Sequence, residues 1–300
     1  MKAEDVKTIA VIGAGAMGQQ IAMNTAIKGL SSGYRVILCD SFPAALEKAE
    51  KWADSYLAGR VAKGRLTQET VDRVKANLTI TGDVDGAAEQ ADLAVEAIIE
   101  KLEAKRELFQ RISKICKPDA VLATNSSNIV SSKLADVTEH PERLLNIHYF
   151  NPALVMELVE IVRGPHTGDE AVEIARTFAV NTGKSPIILN KEIAGFVANR
   201  INAAVVHEAL SLLEKGVASV KDIDTACEKG LNYPMGPFRL MDLTGIDVNY
   251  YVRVDRYAES HDPFDAPNPL VIEKFKKGEW GKKTGKGWYD YTDSKTPEKK

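Results

Sequence analysis

The chain has 300 residues, 44% hydrophobic and 27% charged, with 39 basic against 42 acidic side chains and a net charge of −3. Its length favours two domains over one enlarged core, and its composition excludes a disordered, collagenous or disulfide-built chain. The nearly balanced charge gives no general attraction for nucleic acid or an anionic membrane, so any phosphate must be held locally.

The first residues, Met1-Lys2-Ala3-Glu4-Asp5, are too charged for the apolar core of a secretory signal. No apolar run approaches the roughly 18 residues needed to cross a bilayer. Cys39, Cys116 and Cys227 are isolated and lack any paired Cys or Cys/His spacing, which predicts a reducing, cytoplasmic setting and no metal site.

Short apolar runs rich in β-branched residues then alternate with longer helical stretches: Thr8–Ile12, Arg35–Cys39, Leu93–Ile98, Ala120–Ala123, Leu144–Tyr149, Leu158–Val162 and Pro186–Leu189. Continuous apolar strands separated by helices predict an α/β domain, a Rossmann-type doubly wound and mostly parallel sheet covered on both faces. Between the second run and Leu93 an insertion from about 43 to 85 reads as two helices broken at Gly64, with Thr67 as N-cap of the second and a strand-like segment before Gly82. This predicts a helical hairpin projecting from the sheet. After Leu189 the pattern becomes helical: Gly195–Lys215 closed by Gly216, Lys221–Lys229 capped by Ser219 and stopped by Gly230, and about Asp247 to Ser260. The expected division is therefore a sheet domain over 1–191 and an all-α domain over 192–300, with a charged, frayed tail from Asp293.

Gly13-Ala14-Gly15-Ala16-Met17-Gly18 follows the first strand directly and opens a helix. In that context Gly13 permits the tight turn and Gly15 lets the backbone approach a pyrophosphate. Gly18 allows close strand–helix packing, and the phosphates meet the helix N-terminus at Ala16 and Met17. Asp40, 22 residues beyond Gly18 at the end of the second strand, can accept hydrogen bonds from both adenosine ribose hydroxyls but would repel a 2′-phosphate. Ser41-Phe42 adds no arginine for such a phosphate, so NAD is the expected cofactor.

Chemistry must come from side chains at the strand ends. His148, in Asn146-Ile147-His148-Tyr149-Phe150-Asn151-Pro152, stands where a doubly wound sheet opens its ligand crevice. Glu160 follows twelve residues later among β-branched neighbours, where a buried carboxylate needs a partner. Read from spacing, the two are either a base and its orienting acid or a core histidine and a solvated glutamate.

Six stretches in order, Gly13–Gly18, Thr124–Ser127, His148–Glu160, Gly195–Arg200, Tyr233–Phe238 and Gly281–Gly287, resemble the 3-hydroxyacyl-CoA dehydrogenases over nearly the whole chain. The resemblance implies NAD-dependent oxidation of a (3S)-3-hydroxyacyl-CoA thioester to the 3-ketoacyl-CoA, and the reverse, on a short acyl chain. By it, His148 is the general base, Glu160 orients it, Ser127 hydrogen-bonds the reacting oxygen, and Asn199 comes from the helical domain. Asn151 joins Ser127 and Asn199 at the substrate, while Glu100 and Lys105 match positions lining the cofactor cleft. The hairpin offers Arg60, Lys63 and Arg65 to the CoA diphosphate, or simply a solvated basic patch. The resemblance also implies a homodimer formed through the helical domain.

Two departures from the family pattern stand out. The chain has Ser126-Ser127-Asn128-Ile129 where Thr-Ser-Ser-Leu is usual, and Tyr149 where phenylalanine is usual. The alternatives are a related NAD-dependent dehydrogenase of a sugar acid, of the gulonate type, or a non-catalytic, crystallin-like NAD-binding protein. The last would be expected to lack one of Ser127, His148, Glu160 or Asn199, and none is missing.

Overall fold

A computed structural model describes residues 1–292, which divide into two compact units, Met1–Val197 and the remainder from Ala198. The charged tail expected from Asp293 lies outside the described residues. In chain order the first unit runs β1 (Thr8–Ile12), α1 (Ala16–Lys28), β2 (Arg35–Cys39), α2 (Pro43–Ala62), α3 (Gln68–Asn77), β3 (Leu78–Thr81), α4 (Val84–Gln90) and β4 (Leu93–Glu96). It continues with α5 (Leu102–Ile112), β5 (Val121–Thr124), α6 (Ser132–Ala135), β6 (Leu144–Tyr149), β7 (Leu158–Val162), α7 (Asp169–Asn181) and β8 (Ser185–Leu189).

The eight strands form one sheet in the order β3-β2-β1-β4-β5-β6-β7-β8. Every neighbouring pair is parallel except β6 and β7, which run antiparallel. Alternate residues of each inner strand enter opposite cores: Ile9, Val11, Val36, Leu38, Val95 and Ile147 pack on one face. Ala10, Ile12, Ile37, Ala94 and Leu122 pack on the other, against Phe109 and Ile112 of α5. Burial on both faces is why these strands read as unbroken apolar runs instead of alternating ones.

The hairpin breaks where the sequence predicts. Gly64 is left-handed at φ 63°, and the Thr67 hydroxyl caps α3 by accepting from the Thr70 N–H at 3.1 Å. It does not project freely, however. Ala49, Ala53 and Leu57 of α2, spaced four residues apart, and Val71 and Val74 of α3 are buried in the first core, so the hairpin lies along the sheet and α1. The small alanines on that stripe are what permit the close approach.

The second unit comprises α8 (Ala198–Glu214), α9 (Val220–Gly230), α10 (Pro237–Thr244), α11 (Ile246–Ser260) and α12 (Pro269–Lys276), with a core of Val206, Leu210, Ile223, Phe238, Met241 and Val271. The Ser219 cap is present, its hydroxyl accepting from the Asp222 N–H at 3.2 Å. The short helices α10 and α12 were not legible in the sequence, because eight residues give little periodic signal. α12 is held by Val271 in the helical core and Phe275 stacked on the Tyr250 ring, and α10 by two buried acids. Asp224 accepts from the Phe238 and Arg239 N–H groups at the start of α10, and Asp242 accepts from the Trp288 and Tyr289 N–H groups. Gly281 and Gly287 close around Asp242: a Cβ on either would come within 2.3 or 2.0 Å of its atoms, so this glycine-rich stretch packs directly on α10.

Among the described residues no helix is long and apolar enough to cross a membrane. A buried carboxylate anchors the first strand: Asp92 accepts from the Lys7 and Thr8 N–H groups, each at 2.8 Å, and from the Lys117 ammonium at 2.6 Å. Burial pushes its pKa up, but the Lys117 ammonium and the two N–H donors outweigh burial and hold it below the ordinary carboxylate value. A depressed folded pKa means stability present above the unfolded value of 3.8 and lost as pH falls through the folded one. Asp92→Asn should therefore cost about 1–3 kcal/mol at pH 7 and progressively less below pH 3.8, as measured by denaturant melts at both pH values.

Candidate active site

The turn after β1 divides its glycines by role. Gly13 is left-handed at φ 108°, and a Cβ there would sit 2.6 Å from the Ala97 carbonyl; one on Gly18 would strike the Gly13 carbonyl at 1.8 Å. A Cβ on Gly15 would meet nothing within 4 Å. Backbone packing thus demands the first and third glycines, whereas the second faces open space at the start of α1. There the first-turn N–H groups, at Ala16, Met17 and Gly18, have no carbonyl four residues earlier in the helix. That is the geometry an anionic pyrophosphate requires.

Asp40 stands beside this turn at the end of β2. One carboxylate oxygen accepts from the Ala14 N–H at 2.8 Å and the other from the Phe42 N–H at 2.9 Å. Each oxygen has a second lone pair, so the carboxylate can brace the turn and still accept from ribose hydroxyls. The neighbouring Cys39 is buried, and burial pushes its thiol up to about 12; Cys116 is likewise raised to about 11. Neither supplies a thiolate near neutral pH.

His148 and Glu160 are direct cross-strand partners in the antiparallel β6–β7 pair. Their side chains meet with Nδ1 and Oε2 2.8 Å apart, and they are 5% and 0% exposed. A carboxylate there accepts a hydrogen bond from a protonated Nδ1, which leaves Nε2 of the neutral ring as the basic nitrogen. The second oxygen of Glu160 accepts from the Val197 N–H at 3.0 Å. The imidazole also contacts the rings of Phe150 and Phe196, with centroids 4.6 and 5.3 Å away.

Ser127 lies in the loop after β5, partly exposed. Buried Asn146, on β6 two residues before His148, clamps that loop: its side chain accepts from the Ser131 N–H and donates to the Ser126 and Ile129 carbonyls. Asn125 ties the loop to β6 by accepting from the Tyr149 N–H at 2.9 Å. Neither asparagine was singled out from sequence. Asn146 had left a signal, a polar amide inside the apolar run Leu144–Tyr149, where burial demands hydrogen-bond partners.

Glu100 and Lys105 belong to a linked set. The Lys105 ammonium is enclosed, 2.6 Å from Glu96 and 3.2 Å from the exposed Glu100. Glu96 also accepts from the Thr124 hydroxyl and the Ile98 N–H, and Glu100 accepts from the Ser126 hydroxyl. That hydroxyl in turn accepts from the Ile129 N–H at 2.8 Å. Glu100 is therefore presented outward, whereas Lys105, expected to line the cleft, is a buried brace with a side chain 1% exposed.

Asn151 is exposed just after β6, Lys63 is exposed at the end of α2, and Asn199 lies on the first turn of α8 in the second unit. Arg60 is half-buried over the Tyr56 ring, 5.7 Å from its centroid, so of Arg60, Lys63 and Arg65 only the last two are exposed. Among the described residues no group of three or more His, Cys, Asp or Glu is arranged to hold a metal ion.

A dinucleotide turn after β1 and a buried histidine–glutamate pair on β6 and β7 of the same doubly wound sheet are the features of an NAD-dependent oxidoreductase. The comparisons give the family. Residues 8–193 match the 3-hydroxyacyl-CoA dehydrogenase NAD binding domain and residues 195–291 match the 3-hydroxyacyl-CoA dehydrogenase C-terminal domain. The chain is 35% identical to the mitochondrial hydroxyacyl-coenzyme A dehydrogenase of Sus scrofa, over 95% of this chain and 91% of that one. It is also 35% identical to the probable 3-hydroxybutyryl-CoA dehydrogenase of Bacillus subtilis (strain 168), over 96% and 99%. Among solved structures, the (S)-3-hydroxybutyryl-CoA dehydrogenase of Ralstonia eutropha superposes with a TM-score of 0.88 at 33% identity, covering 96% of this chain and 100% of that one. The chain belongs to the 3-hydroxyacyl-CoA dehydrogenase family and uses NAD.

If Asp40 accepts from the ribose hydroxyls, its removal deletes those charge-assisted hydrogen bonds and relieves repulsion of a 2′-phosphate. Asp40→Ala should weaken NADH roughly 10–100-fold and narrow its advantage over NADPH, measured by fluorescence titration of both. Because Asp40 also braces the turn, the ratio is the deciding quantity: damage to the turn alone lowers both affinities and leaves it unchanged.

Proposed function

We propose that this dehydrogenase interconverts short-chain (3S)-3-hydroxyacyl-CoA and 3-ketoacyl-CoA, with 3-hydroxybutyryl-CoA and acetoacetyl-CoA as the test pair. The observation that carries the reading is the buried contact between His148 and Glu160 at 2.8 Å. Support for the short chain comes from the 3-hydroxybutyryl-CoA names of the Bacillus and Ralstonia relatives.

NAD, when bound, accepts or returns the hydride at its nicotinamide ring. The turn at Gly13, Gly15 and Gly18, the helix start at Ala16 and Met17, and Asp40 would hold it, with Glu100 at the cleft. In the oxidative direction Nε2 of His148 takes the 3-hydroxyl proton, and in reduction it gives the proton back to the forming alkoxide. Glu160 keeps the ring in the tautomer that has its basic nitrogen at Nε2 and stabilises the imidazolium once formed. The Ser127 hydroxyl hydrogen-bonds the reacting oxygen, and Asn151 and Asn199 complete the substrate contacts. Lys63, with Arg65, meets the CoA diphosphate. Lys105 acts through Glu96 and Glu100, supporting the serine loop.

In this reading residues 1–191 carry the cofactor, and residues 192–300 serve substrate binding and homodimerisation. Exposed apolar side chains on the helical unit, including Ile201, Val217, Leu243, Val248, Tyr251 and Tyr257, favour a partner surface there. A cytoplasmic setting fits three unbridged cysteines.

The purified protein should oxidise NADH with acetoacetyl-CoA, followed as loss of dihydronicotinamide absorbance, and His148→Gln should slow turnover on the order of 10²–10⁴-fold while still binding NADH. Turnover of a sugar acid without turnover of the thioester, or full activity in His148→Gln, would refute the assignment. Light scattering at micromolar concentration should give twice the mass of the 32.8 kDa chain; a monomer mass would remove the dimer from the reading.

A further inference from the structure

Gly195, Phe196 and Val197 form a turn that touches both halves of the candidate site. Gly195 and Phe196 are left-handed in succession, at φ 77° and 49°. Glycine adopts that region freely, whereas a phenylalanine there is strained by its Cβ and persists only where its surroundings demand it. The strained residue is also deeply buried. The Phe196 side chain is 1% exposed, packs with Val162, Leu189 and Val130, and contacts the His148 ring.

The left-handed pair aims successive backbone donors at different targets. The Gly195 N–H donates to the Ser127 carbonyl at 3.0 Å, and the Val197 N–H donates to Oε1 of Glu160 at 3.0 Å. With Oε1 held by the main chain, the carboxylate cannot rotate without losing that bond, so Oε2 stays on Nδ1 of the imidazole. A merely connecting segment would need neither a ring against the histidine nor a donor on the acid, and would take a glycine or asparagine at residue 196 at lower strain.

We propose that Gly195-Phe196-Val197 is a clamp that fixes the His148–Glu160 pair and the Ser127 loop together, with Phe196 as its positioning residue. Phe196 has no group that can exchange a proton or hydride and acts by holding the imidazole and, through the turn it shapes, the acid. The kinetic consequence rests on the dehydrogenase reading above; the effect on the histidine tautomer does not.

The test compares Phe196→Gly, which relieves the backbone strain while removing the ring, with Phe196→Leu, which keeps an apolar group. Protein carrying ¹⁵N-histidine is observed by long-range ¹H–¹⁵N spectroscopy at a pH where the ring is neutral, with His148 assigned from the His148→Gln spectrum. The wild type should show a single tautomer protonated at Nδ1, and Phe196→Gly should show a mixture of both. Turnover of acetoacetyl-CoA should fall roughly 10–100-fold in Phe196→Gly, with the KM for NADH within about twofold of wild type and partial recovery in Phe196→Leu. The Glu160→Gln, Phe196→Gly double variant should be no slower than Glu160→Gln alone, since both changes break one unit. An unchanged Nδ1–H tautomer in the Phe196 variants overturns the clamp whatever turnover does, and so do fully additive losses in the double variant. If Phe196→Gly does not fold, Phe196→Asn, which also tolerates the left-handed backbone and lacks the ring, carries the tautomer comparison with the same expected mixture. A wild type inactive on the thioester would sink the assigned reaction while leaving the tautomer result to decide the clamp.

Discussion

A carboxylate buried to zero exposure cannot stay charged among apolar side chains without partners, and Glu160 has them on both oxygens. One partner is an imidazole on the adjacent strand, the other a main-chain N–H. This pairing requires β6 and β7 to run antiparallel in one register, with His148 directly opposite Glu160. A slip of one residue would turn one of the two side chains to the opposite face of the sheet. The single reversal in an otherwise parallel sheet is thus the feature on which the candidate chemistry depends.

Around that pair the architecture solves a second problem, how to hold a polar loop rigid without making it part of the core. The serine loop after β5 is tied to β6 through Asn146 and Asn125, to the segment between β4 and α5 through Ser126 and Glu100, and to the turn at Gly195 through the Ser127 carbonyl. Behind Glu100 the enclosed Lys105 balances Glu96, so the two acids share one ammonium. Such a fully partnered polar network is strong because the low-dielectric interior magnifies each contact, and it is intolerant of losing one member for the same reason.

Much of the fold was legible because its signals are local. β1, β2, β6 and β7 announce themselves as apolar runs, Gly64 and Thr67 mark the hairpin break and cap, and Gly13–Gly18 sits between strand and helix. Elements that depend on distant partners were not legible: α10 begins where Asp224 of α9 receives its first N–H groups, and the last glycines wrap Asp242. The expected helix over Gly195–Lys215 starts three residues late, at Ala198, because Gly195 and Phe196 adopt left-handed backbone that no helix-forming pattern reveals. Leu93–Ile98 likewise ends as a strand at Glu96, whose side chain turns back to accept from the Ile98 N–H.

The order of residues along the chain was enough to define a doubly wound sheet, a dinucleotide turn and an acid at the end of the second strand, since each rests on contacts within a few turns of backbone. It also brought His148 and Glu160 forward as candidates, though twelve residues of separation left open whether they meet. Their meeting was settled by strand direction and register, the burial of Lys105 by a carboxylate nine residues away, and the strained turn at Phe196 by partners in three different elements. Those are products of long-range packing, in which a side chain's role depends on which groups the folded chain places opposite it, and linear spacing carries no record of that.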